Sequence, residues 1–110
     1  MFFYQKIFSQ FPEISSYVGT RDILLRPKQF HAENLKIQET VKYLEKQFCV
    51  EKALFLAQCQ SGEVREITDE NLEEVLFVDA CFTKLQNISL NVVIADCVPI
   101  LLYDAYKKIV

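Results

Sequence analysis

The sequence predicts an α/β protein, a mixed β-sheet with helices packed against it, and three observations carry that prediction. Residues 33–48 place Leu35, Val41, Leu44 and Phe48 on one apolar stripe among charged positions, which is helical spacing. Two apolar runs, Ile88-Ser89-Leu90-Asn91-Val92-Val93-Ile94 and Val98-Pro99-Ile100-Leu101-Leu102-Tyr103, are strand length and rich in branched residues, as in strands buried on both faces. Shorter strand-like runs lie at 53–57, 63–67 and 76–83.

Each element has a local reason. Residues 1–11 put Phe3, Tyr4, Ile7, Phe8 and Phe11 at helix-like spacing, a short element closed by Pro12. With Lys6 its one cation, that stretch reads as core packing and not as a membrane-surface helix. Residues 14–20 read as a strand ending at Arg21. The helix over 33–48 carries Glu-to-Lys pairing and basic residues toward its end, a solvated face. Ser61-Gly62 punctuates 53–57 and 63–67 as a turn, so these two runs are expected to be neighbours. The acidic stretch 68–74 reads as a loop with one helical turn from Asp69; consecutive acids at a helix start suit the macrodipole better than a metal cluster. Residues 107–110 return to strand, and no internal repeat is evident.

Composition narrows the function classes. An apolar fraction of 51% with 13% aromatic residues suffices for a core in one domain or part of one. A net charge of −3 supplies no basic field for nucleic acid or an anionic membrane, and no apolar run is long enough to span a bilayer. Cys49, Cys59, Cys81 and Cys97 have no CxxC spacing, and no signal peptide opens the chain. Free thiols and a cytoplasmic location are therefore expected.

The junction between the two long apolar runs is Ala95-Asp96-Cys97-Val98-Pro99. Pro99 lacks an N–H and steers Val98 away from helix, so a thiol and a carboxylate sit together where the chain is extended or turning. Cys97 can there be a metal ligand, a nucleophile or a small core residue. The whole run Ala95-Asp96-Cys97-Val98-Pro99-Ile100-Leu101-Leu102-Tyr103-Asp104 resembles the signature of the YfiH-like family, also called the laccase-domain or multicopper polyphenol oxidase family. Val78-Asp79-Ala80-Cys81-Phe82-Thr83 resembles the family's Ala-Asp-Ala-hydrophobic-hydrophobic-Thr segment. Leu56-Ala57-Gln58-Cys59-Gln60-Ser61-Gly62-Glu63-Val64 resembles its Gln-Val-His-Gly segment. Tyr17-Val18-Gly19-Thr20-Arg21 resembles its Thr-Arg element, although Asp22-Ile23-Leu24-Leu25-Arg26-Pro27 replaces the Gly-rich segment that follows it there.

The resemblance implies an αββα layered sandwich, of which residues 1–110 would be the N-terminal portion, the C-terminal half missing. It also implies a zinc-dependent purine nucleoside phosphorylase with adenosine deaminase activity, acting on adenosine or inosine with phosphate. In that family a thiolate and two imidazoles hold zinc with a fourth position open. Cys97 matches the thiolate, whereas Gln60 stands where the first His is expected, and an amide oxygen is a much poorer zinc donor. Cys59 could replace it only with a changed register, because adjacent strand residues face opposite sides. The second His belongs to a His-Ala-Gly-Trp-Arg-Gly segment that these residues do not contain. Arg21 is either a phosphate-binding guanidinium or a solvated charge. His31, the single histidine, reads as structural or surface.

Two functions follow as expectations: a family enzyme that is truncated and inactive alone, or a degenerate domain serving as a binding or association module. A copper oxidase, the older family description, ranks last because one His and one Cys of the motif are too few ligands for a multicopper centre. Uncovered apolar strands around Cys97 are expected to promote self-association.

Overall fold

A computed structural model of the protein describes residues 2–20, 35–94 and 96–110, with the side chains of the helix described from Gln38 onward. It is an α/β arrangement whose strands form three two-stranded sheets.

Strands β1 (Phe2–Gln5) and β2 (Ser16–Gly19) pair antiparallel, joined through a 3₁₀ turn at Lys6–Phe8. The helix-like spacing of the N-terminal aromatics is thus overridden by cross-strand pairing. Tyr4 lies opposite Tyr17 with ring centroids 5.5 Å apart, and Phe2 meets Phe48 edge-on at 4.8 Å. Tyr17 also lies 4.7 Å from Phe48, so this hairpin rests on the end of the helix.

Helix α1 (Leu35–Phe48) forms where its stripe predicts and packs on β3 (Lys52–Phe55), with Leu44 of the helix and Ala53 of the strand both buried. Cys49 ends it in the left-handed region (φ 53), and the Val50 N–H donates to the Glu45 carbonyl at 3.1 Å, a Schellman-type stop. The Glu45 carboxylate also accepts from the Ala53 N–H at 3.1 Å, tying the helix to the strand it precedes.

The remaining strands are β4 (Val64–Ile67), β5 (Ala80–Thr83) and β6 (Ile88–Asn91). Residues 53–57 and 63–67 are not paired with each other, contrary to expectation. β3 pairs with β6 and β4 with β5, both parallel, so the second pair is nested in sequence within the first. The reason is burial: Leu56, Ile67, Leu76 and Val78 form one core cluster, with Leu54, Leu72, Ile88 and Leu90 against it. Thr83 sits fully buried beside it, its hydroxyl donating to the Ile67 carbonyl at 2.8 Å and accepting from the Leu85 N–H at 3.0 Å. Asn71 folds the acidic loop, its side chain accepting from Thr68 N–H and donating to the Glu66 carbonyl, both at 2.8 Å.

The second long apolar run departs most from expectation. Residues 98–103 form no strand, contrary to expectation, and Val98, Ile100 and Leu102 are 85%, 80% and 74% exposed, as uncovered apolar surface around Cys97 would be. Their backbone makes no hydrogen bond to another described residue. The chain then turns, with an isolated bridge between Asp104 and Ile109, and Val110 pairs with Thr83 at the edge of β5. Tyr103 anchors the segment on the N-terminal part: its ring meets Phe11 edge-on at 5.3 Å, and its hydroxyl donates to Glu13 at 2.8 Å. Among the described residues no helix is long and apolar enough to cross a membrane.

Candidate functional site

A parallel pair of strands sends both of its exits to the same end, the end at which open α/β sheets place their ligands. In the β3–β6 pair Phe55 lies opposite Asn91, so residues 56–58 and 92–93 leave side by side. Leu56 N–H donates to the Asn91 carbonyl at 3.4 Å, and the Asn91 amide donates to the Leu54 carbonyl at 3.0 Å. Gln58 continues the ladder with its side chain, donating to the Val93 carbonyl at 3.1 Å and accepting from the Val93 N–H at 2.9 Å. Cys59 and Gln60 follow on the β3 exit of this carboxyl-end rim, Cys97 lies six residues beyond the end of β6 in the chain, and all three are exposed.

The loop after Gln58 folds around a carboxylate. Asp79, immediately before β5, accepts through Oδ1 from the N–H groups of Cys59 (2.9 Å) and Gln60 (2.8 Å). Through Oδ2 it accepts from Gly62 N–H (2.8 Å) and the Ser61 hydroxyl (3.2 Å). Backbone donors converging on an anion in this way form a nest, and two positive φ angles, 57° at Gln60 and 73° at Gly62, shape it. No atom lies near a Cβ added at Gly62, so its φ and not lack of space favours glycine there. Gln60 carries the left-handed cost of an L residue, about 1–2 kcal/mol. The Gly62 amide, with those of Gln60 and Cys59 and the Ser61 hydroxyl, holds the Asp79 carboxyl down at about 2 against the opposing effect of burial.

Of the two residues proposed as metal positions, Gln60 lies on the β3 exit and Cys97 lies further along the chain from β6. They do not make a metal centre: among the described residues no group of three or more His, Cys, Asp or Glu comes together. Gln60 offers an amide oxygen, the Cys59 thiol donates to the Phe77 carbonyl at 3.4 Å, and both Asp79 oxygens are occupied by the loop. The donors among the described residues do not fit a zinc or copper site. Arg21 and His31, the phosphate-binding and histidine candidates, lie outside the described residues. Cys97 is exposed, which removes the core reading of that thiol; Cys81 is the cysteine packed against the core, and burial pushes its thiol up.

Asp79 was assigned no role from the sequence, although it is the Asp of the family-like segment Val78-Asp79-Ala80; its partners are remote in sequence.

A family model described as multi-copper polyphenol oxidoreductase laccase matches residues 28–110. Neither a curated protein nor a solved structure matches the chain. The matched span contains the whole rim, the Asp79 loop and the Ala-Asp-Cys motif, and the family description associates such domains with copper. On this match the chain belongs to the multi-copper polyphenol oxidoreductase laccase family, the YfiH-like domains.

Proposed function

We propose that this chain is a purine nucleoside phosphorylase and adenosine deaminase type of family member that binds adenosine or inosine at the carboxyl end of β3–β6 and does not turn it over alone. The supporting observation is the rim itself: Gln58-Cys59-Gln60 leaves the end of β3 beside the β6 exit at Val93, and exposed thiols at Cys59 and Cys97 and an amide at Gln60 lie on the segments that follow these two strands. Any imidazoles that complete a zinc site around Cys97 have to come from outside the described residues. Titrating the chain with adenosine is expected to shift the amide resonances of Gln60 and Cys97, with no phosphate-dependent release of base and no stoichiometric zinc. Resonances that stay unmoved overturn the nucleoside reading. Released base, or one zinc per chain lost in Cys97→Ala, overturns the reading that the chain is inactive alone.

The exposure of Val98, Ile100 and Leu102 favours a second reading, a non-catalytic module that self-associates through this segment. Sedimentation velocity then shows concentration-dependent association that Ile100→Lys removes. A monomer at every concentration rejects it.

A further inference from the structure

We propose that Asp79 is the positioning residue of the rim: its carboxylate is the fixed internal anion around which residues 59–62 fold, and it sets where Cys59 and Gln60 stand relative to the exit of β6 at Val93. Four donors from four consecutive residues meet its two oxygens, three of them main-chain N–H groups between 2.8 and 2.9 Å. Charge-assisted bonds of this kind are the strong ones, and here they act together on a loop that is otherwise exposed. Asp79 is itself fixed from behind, because its N–H and that of Ala80 both donate to the Glu63 carbonyl at 3.2 and 3.3 Å. The carboxylate therefore joins the exit of β3 to the start of β5, and through Gln58 and Val93 to the exit of β6. An anion already fills the nest, so these amides are closed to external phosphate, which has to be met elsewhere.

The functional weight of this placement rests on the rim reading above; the test does not, because it uses neither metal, nucleoside nor turnover. Amide hydrogen exchange is measured on the full chain, on Asp79→Ala and on Asp79→Asn, each with and without sodium formate. In Asp79→Ala the amides of Cys59, Gln60 and Gly62 are expected to exchange about 10-fold faster or more, while Ala53 and Leu90 stay within about twofold. Formate, a free carboxylate, is expected to slow the three loop amides again, which a packing role of the Asp79 side chain would not produce. Asp79→Asn keeps the shape but loses one acceptor atom, so either Gly62 alone or Cys59 with Gln60 accelerates, without formate rescue; this variant carries the test if Asp79→Ala does not fold. Unchanged loop exchange in both variants, acceleration spread equally over β3 and β6, or no formate effect in a folded Asp79→Ala overturns the proposal.

Discussion

At position 60 the chain carries an amide where the family resemblance expects an imidazole, and the difference is one of donor chemistry, since nitrogen and thiolate suit zinc and copper far better than an amide oxygen. Gln60→His places a nitrogen donor on the exit of β3. A cobalt(II) titration of that variant is expected to develop a thiolate charge-transfer band that the parent chain lacks and that Gln60→His with Cys97→Ala loses. A spectrum without the band shows that the two positions do not converge. The sequence singles out Cys97 by its motif and Gln60 by the His it replaces, and it sets Asp79 in a family-like segment. What it does not carry is Asp79's set of partners, because the donors lie 17 to 20 residues upstream and no local pattern records a contact between two loops.

Among the elements, α1 was legible because its stripe and its charged face agree on one period. Its end was less so: Cys49 occupies a left-handed position that glycine usually takes. Cys49→Gly is therefore expected to stabilise the chain by about 1 kcal/mol in denaturant unfolding, with Cys49→Ala nearly neutral. The strand segments at 53–57 and 63–67 were located, but their partners were not, because parallel pairing joins residues far apart and a turn signal suggests only the local neighbour. Thr83 shows what the core requires of a polar side chain. Thr83→Val leaves the Ile67 carbonyl and the Leu85 N–H without their partner and is expected to cost about 1–3 kcal/mol, read from the unfolding midpoint. The run from Val98 to Leu102 was misread as a strand, since an apolar, branched sequence states a preference and supplies no neighbouring strand to pair with; its lack of cover was expected.

For the whole molecule, the two ends of the chain are joined at Glu13. Its carboxylate accepts from the Lys108 ammonium and the Tyr103 hydroxyl, both at 2.8 Å. The Lys108 contact, with a backbone hydrogen bond and the Tyr103 hydroxyl, holds the Glu13 carboxyl at about 2, below its ordinary 4.5. A lowered carboxyl stabilises the fold above its ordinary value, and that contribution is lost as the pH falls from about 4.5 toward about 2. Glu13→Gln is thus expected to be less stable than the parent by a constant margin above pH 5, a margin that closes by about pH 2 in acid titrations followed by circular dichroism. Because Lys108 is two-thirds exposed and screened, added salt should narrow the same margin. The nested pairing of the parallel strands has a further consequence for synthesis. The shorter link from β4 to β5 costs less entropy to close than the longer one from β3 to β6, so the inner couple can zip while the outer one waits. A nascent chain still attached to the ribosome before residue 88 has emerged holds Lys52–Phe55 with a bare flank, and that interval is when chaperones have the most to grip.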